Sequence, residues 1–145
     1  MTGPWSPQKT STHQDHIVAH VVGATVLGYF QADEALCLLL DIGFVWTIYL
    51  DAEMGLVPES LAISELNLDR EEREALARDI RSLEVSGAHV KGLTRVRPAP
   101  AGCLIEEVDF YANDEGHRIL IHGEEASLAV ETSLAAREMR VEAVA

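Results

Sequence analysis

Large apolar residues occupy every even-numbered position of the segment 36–50. They are Leu36, Leu38, Leu40, Ile42, Phe44, Trp46, Ile48 and Leu50. The odd-numbered positions between them include the polar residues Asp41 and Thr47. Because successive side chains of a β-strand point to opposite faces, this alternation predicts a sheet with one face on a hydrophobic core.

The length of this segment requires a bend. A single straight strand over 36–50 would extend about 50 Å. A compact protein of 145 residues has a diameter of only about 38 Å. A three-residue loop over 41–43 keeps all the large residues on one face, and Gly43 suits the left-handed position of a type I turn with a G1 bulge. The alternative is a short buried helix over 33–42, capped by Asp33 and ended by Gly43. Such a helix has no polar stripe, which favours the hairpin.

The opposite face of this hairpin is also apolar. It carries Cys37, Leu39, Val45 and Tyr49. A face of this composition needs a cover, which a helix, a second sheet layer or another subunit can provide. Since residues 1–64 contain a single Lys or Arg, Lys9, we expect a homodimer through this half of the chain.

The clearest helix of the sequence lies near residues 70–85. Asp69 and Glu72 have the spacing of a capping box, and Gly87 follows the last helical positions. An apolar stripe at helical spacing consists of Leu76, Ile80 and Leu83. This stripe predicts a helix with one face packed on a sheet.

The second half of the chain predicts further strands. Residues 103–111 and 117–122 flank a polar turn and predict a second hairpin. Residues 126–131 predict a third strand, and residues 134–139 predict a short closing helix. An acidic turn with Asp109, Asp114 and Glu115 lacks the EF-hand pattern of a calcium site and is expected to be solvated.

The first part of the chain is less regular. Residues 1–12 predict a disordered tail, and residues 13–30 predict an ordered stretch that ends as a strand because it is rich in β-branched and aromatic residues. The sequence leaves 16–22 open between helix and strand. Residues 55–63, which include Pro58, predict a loop.

These elements lack the regular βαβ alternation of a parallel sheet. The sequence therefore predicts one α+β domain over residues 13–145. Its sheet is expected to be mostly antiparallel, with hairpins near 36–50 and 103–122 packed by one well-capped helix near 70–85.

Composition and charge narrow the class of protein. The 145 residues carry 24 Asp and Glu against 11 Lys and Arg, a net charge of −13, which disfavours nucleic-acid binding because phosphate backbones reward clustered cations.

No apolar run reaches the length of a membrane-spanning helix, and the N-terminus lacks the apolar core of a signal peptide. We therefore expect a cytoplasmic protein with no membrane partner. Cys37 and Cys103 lie among aliphatic residues and predict buried free thiols.

A small basic segment interrupts the acidic sequence. The stretch 85–105 contains Lys91, Arg95 and Arg97 and no acidic residue. Their odd spacing puts the three cations on one face of an extended segment, where they suit an anionic ligand or an acidic patch of a second copy. The alternative interpretation is a solvated basic loop.

Three histidines form the one candidate metal site of the sequence. In a helix, His13, His16 and His20 stack on one face at a spacing that suits zinc or another first-row divalent metal. The alternative is a polar helix start with no metal. The HExxH motif is absent, as are the Walker A loop, the dinucleotide-binding GxGxxG motif and the GxSxG elbow of serine hydrolases.

These observations favour a binding domain over an enzyme. The sequence predicts a small acidic interaction or ligand-binding domain that acts as a homodimer, with no catalytic residues and no cofactor of its own. The alternative is a metal-dependent enzyme, resembling a hydrolase in its chemistry, in which the N-terminal histidines bind the ion.

Overall fold

The computed structural model of the protein describes residues 4–87 and 91–144. The helices within these ranges are α1 (Thr12–Val21), α2 (Glu59–Ser64) and α3 (Arg70–Ser86). The strands are β1 (Ser6–Pro7), β2 (Val26–Ala32), β3 (Ala35–Leu40), β4 (Phe44–Tyr49), β5 (Met54–Pro58), β6 (Arg97–Pro98), β7 (Ile105–Ala112), β8 (Gly116–Gly123), β9 (Ser127–Ser133) and β10 (Glu138–Val144).

The strands form two antiparallel sheets. Sheet I has the order β5-β4-β3-β2-β6, and sheet II has the order β1-β7-β8-β9-β10. Both predicted hairpins are present, as β3–β4 and β7–β8. The prediction of a mostly antiparallel α+β domain is therefore confirmed.

The turn of the first hairpin is the three-residue loop that the alternation predicts. Leu38 pairs with Trp46 and Leu39 with Val45, so the loop occupies residues 41–43. Gly43 has a φ of +77°, a conformation that costs glycine little because it has no Cβ. The alternative of a helix over 33–42 is wrong, because residues 35–40 are fully paired as a strand.

The main hydrophobic core lies between the two sheets. Six of the eight even-numbered apolar residues contribute to this core: Leu36, Leu38, Leu40, Trp46 and Ile48 from sheet I, and Leu50 directly after β4. Sheet II contributes residues such as Phe110, Ile119, Ile121, Leu128 and Val130. Ile42 departs from the pattern because it lies in the loop, where its side chain is 48% exposed.

Helix α3 covers the opposite face of sheet I. Its stripe of Leu76, Ile80 and Leu83 packs with Cys37, Leu39 and Val45 in a second core. The Asp69 side chain accepts a hydrogen bond from the Glu72 N–H at 2.8 Å and caps the helix. Because the same chain covers this face, a second copy is not needed to shield it, and the homodimer stays a prediction.

Several local predictions need correction. The predicted loop at 55–63 contains most of β5 and the short helix α2; Pro58 is the last residue of an edge strand, where its missing N–H leaves no ladder bond unmade. The predicted helix at 134–139 is wrong, because residues 134–137 form a turn and 138–144 form β10.

The first residues that the structure describes do not form the predicted disordered tail. Ser6 and Pro7 pair with Tyr111 and Ala112 of β7. Ser11 caps α1 in a reciprocal capping box with Gln14, which settles 12–21 as helix. The prediction of disorder through residue 12 does not hold for these residues. No helix of the described ranges is long and apolar enough to cross a membrane.

Candidate functional site

A groove separates the free edge of sheet II from one edge of sheet I. Its volume is about 410 Å³, and we call it the arginine groove. It is lined by Tyr29, Phe30, Gln31, Arg95, Arg97, Met139, Arg140, Val141 and Glu142. Pockets that hold small ligands typically measure about 300–1,000 Å³, so the groove has the size of a small-molecule site.

The groove exists because two strand edges approach each other without pairing. Strand β10 pairs with β9 alone in the described structure, and β2 pairs with β6 only at Gly28 and Tyr29. Beyond this point the Gln31 side-chain amide donates a hydrogen bond to the Met139 carbonyl at 3.3 Å. This bond joins β2 to β10 at two residues that line the groove.

Three arginines reach the groove from separate segments. Arg95 forms an ion pair with Glu72 at 2.5 Å, and Arg140 forms a looser pair with Glu131 at 3.5 Å. Arg97 is exposed on β6 and has no ion-pair partner among the residues that the structure describes. Arg97 is therefore the cation of the groove that is free to bind a ligand.

A buried carboxylate positions the segment that carries two of these arginines. Asp79 of α3 is 5% exposed. Its Oδ2 accepts hydrogen bonds from the backbone N–H groups of Thr94, Arg95 and Val96 at 2.9, 2.5 and 2.9 Å. The sequence carried a signal for this role, because Asp79 interrupts the apolar stripe of the helix. A charged side chain in a stripe that packs on a sheet needs hydrogen-bond donors.

The structure brings together only part of the predicted basic face. Arg95 and Arg97 line the groove, whereas Lys91 is exposed and does not line it. Arg140 completes the groove and was missed, because residues 134–139 were predicted to be helical. The alternation of Met139 and Val141 with Arg140 and Glu142 was the available signal for a strand.

The predicted histidine cluster lies on α1, so its residues have the helical spacing on which the prediction depends. His13, His16 and His20 are exposed and line a second groove of about 450 Å³ with apolar neighbours such as Phe44. His13 Nε2 lies 2.9 Å from the Met54 carbonyl oxygen. The three histidines do not form a group with ligand atoms within 4.8 Å of one another. Metal binding at these residues stays a prediction.

The two cysteines do not offer a reactive thiolate. Cys37 and Cys103 are free and buried, as predicted. Burial raises the pKa of each thiol to about 11. Both therefore remain protonated at neutral pH, and as thiols they are poor nucleophiles.

A carboxyl pair joins α2 to α3. Burial, followed by a hydrogen bond and repulsion from Glu84, raises the pKa of Glu59 from 4.5 to about 7. Between these values the folded protein holds a proton that the unfolded chain has released. The contribution of the pair to stability is therefore fully present below pH 4.5 and is lost as the pH rises through 7.

Removing one charge of this pair should flatten the pH dependence of stability. We expect Glu84→Gln to show a smaller decrease in the free energy of unfolding between pH 5 and pH 7 than the unmodified protein. Urea denaturation at several pH values measures this decrease. Glu71→Gln, at an exposed position of the same helix, is the control. An unchanged decrease in Glu84→Gln would contradict the assignment.

Comparison with known proteins identifies no family for this chain. No protein-family model, curated protein or solved structure matches the chain.

Proposed function

We propose that the protein is a non-enzymatic binding domain that takes a small anionic molecule, with a carboxylate or phosphate group, in the arginine groove. The observation that carries this proposal is the convergence of Arg95, Arg97 and Arg140 on one groove. The chain has 11 Lys and Arg against 24 acidic residues. The lining of the groove has three arginines and one acidic residue, Glu142, so it is locally richer in cations than the chain as a whole.

The chemistry of the side chains supports an anion. A guanidinium presents its N–H donors in a planar fork that matches two oxygens of a carboxylate or phosphate. Arg97 is free to use this fork, and Arg140 is held only at 3.5 Å from Glu131. Arg95 keeps its ion pair with Glu72, which balances its positive charge, so it contributes less to anion binding than Arg97 does.

The walls of the groove favour a small molecule. Tyr29 and Phe30 supply aromatic surface, and Gln31 supplies an amide. Glu142 also lines the groove, and its carboxylate opposes the attraction of the arginines for an anion. Apolar walls with a few polar groups are typical of ligand pockets. The groove is complete within one chain, so the proposal does not require the homodimer that the sequence predicts.

Removal of the free guanidinium should weaken anion binding. Because hydrogen bonds to charged groups are worth about 1.5–3 kcal/mol, we expect Arg97→Gln to lower the affinity for the best-bound anion about tenfold or more. Isothermal titration calorimetry with inorganic phosphate and with citrate measures the affinity. Binding should also weaken with added salt, because the groove is open to solvent.

The control variant is Arg81→Gln, which removes an exposed arginine of α3 away from the groove. It should leave the affinity unchanged. Equal losses in both variants would mean that only net charge matters, and the proposal would be wrong. Failure of the unmodified protein to bind either anion at millimolar concentration would also contradict it.

A further inference from the structure

Three metal-ligating side chains meet on sheet II, outside the arginine groove. Glu107 and Asp109 lie two residues apart on β7, and His122 of β8 lies directly opposite Glu107 in the register. His122 Nε2 lies 2.7 Å from Asp109 Oδ2. One ligand atom from each of the three residues lies within 4.8 Å of the others.

A β-bulge creates this arrangement. The register of β7 against β8 shifts by one residue between Ile105 and Glu107. Ile105 and Phe110 both lie in the core despite their odd spacing, because the extra residue reverses the alternation of faces. Without the shift, Glu107 and Asp109 would share the core-facing side of Ile105. The bulge thus turns two carboxylates to the face that carries His122, a re-aiming for which bulges are known.

The negative charges of the cluster favour a cation. The two carboxylates repel each other at this spacing. Neither forms an ion pair with Lys or Arg within the described ranges; the partner of Asp109 is His122. The cluster thus has two carboxylates without a Lys or Arg to balance them among the described residues. A divalent cation neutralises both.

The donor set indicates which cation. One imidazole nitrogen and two carboxylate oxygens are ligands that Zn²⁺ binds in proteins, and three protein ligands leave a fourth tetrahedral position for water. Calcium and magnesium prefer oxygen ligands alone. We propose that Glu107, Asp109 and His122 bind a first-row divalent cation, with zinc the best match. This site is independent of the arginine groove and of the histidines on α1.

The cation takes the place of the direct contact between the His122 imidazole and the Asp109 carboxylate. The side chains of both residues are partly exposed, at 36% and 38%, so an ion enters directly from solvent. Protons compete with the metal for the imidazole and the carboxylates, so binding should weaken as the pH falls.

The test is zinc titration of the metal-free protein by calorimetry, with native mass spectrometry to count ions. We expect one ion per chain, and a loss of affinity of at least about tenfold in His122→Gln and in Asp109→Asn, since even the loss of an outer-shell partner costs about 10–100-fold. Cobalt(II) as a second probe reports the coordination geometry through its visible absorption. Circular dichroism of the metal-free variants checks that they fold.

Two controls separate this site from the others. His117→Gln changes the same strand at a residue that bonds to Gln8 and should bind zinc normally. The triple variant of His13, His16 and His20 to Gln should also bind normally. Loss of zinc in the triple variant with retention in His122→Gln would place the ion on α1 and overturn the proposal. Absence of binding by the unmodified protein would overturn it as well.

Discussion

Replacement of Asp79 by Ala is expected to lower the free energy of unfolding by about 4 kcal/mol, because it leaves three backbone N–H groups without their charged acceptor. These N–H groups belong to the segment that carries Arg95 and precedes Arg97. The variant should therefore also lose the anion binding that we propose for the arginine groove. Urea denaturation followed by circular dichroism measures the first effect, and the phosphate titration measures the second.

Asp79→Asn is the matched variant for this prediction. All three hydrogen bonds end on a single oxygen, Oδ2, and the Asn carbonyl oxygen can accept bonds from the same position. The Asn variant should retain much of the stability and of the anion binding, since it loses the charge but keeps the acceptor. If Asp79→Ala unfolds at the same urea concentration as the unmodified protein, the structural role of Asp79 is wrong.

Truncation of Trp46 should have a similar effect on stability by a different mechanism. Trp46 is fully buried and pairs across the strands with Leu38 and Leu56. We expect Trp46→Ala to cost about 3–5 kcal/mol, because the surrounding core cannot fill the cavity that it leaves. The midpoint of urea denaturation should fall, with Tyr49→Ala, at a 44% exposed position of the same strand, as the control that changes little.

The Phe variant tests what the indole contributes. The Nε1–H of Trp46 is buried without a hydrogen-bond partner in the described structure, and an unsatisfied buried donor costs about 1–3 kcal/mol. Trp46→Phe removes this donor while it keeps most of the apolar volume. We therefore expect it to lose much less stability than Trp46→Ala. Equal losses in the two variants would show that cavity volume does not control stability at this site.

The sheet architecture was predictable where the hydrophobic pattern is unbroken. The alternation through 36–50 and the glycine at position 43 defined the register of β3 against β4, since a slip of one residue would move every large side chain to the other face. The capping residue and apolar stripe defined α3 in the same local way. Each of these features depends on neighbours in the sequence.

The second sheet was less predictable because its alternation is interrupted. The bulge between Ile105 and Glu107 reverses the faces of β7, so a strict period of two assigns Glu107 and Asp109 to the wrong side. The sequence grouped Asp109 with the turn residues Asp114 and Glu115. The structure places it beside His122, thirteen residues away in the chain, a contact that local spacing does not reveal.

The arginine groove was half predictable for a related reason. Arg95 and Arg97 are neighbours in a segment without acidic residues, so they stood out in the sequence. Arg140 joins them only because β10 lies at the edge of sheet II, facing β2 of the other sheet. Residues 134–137 have the composition of a helix start. In the structure they form the turn before β10, with Arg137 at a φ of +53°.

The position of β3 has a consequence for motion. It is the middle strand of sheet I, and all six of its residues are buried. Its amide hydrogens should exchange with deuterium only when the whole domain opens, whereas those on the free edge of β10 exchange from the native state. Amide exchange is therefore expected to be slow in the middle of sheet I and fast at the free edge of sheet II. The proposed anion site lies at this free edge, so we expect its ligand to enter and leave without unfolding of the domain.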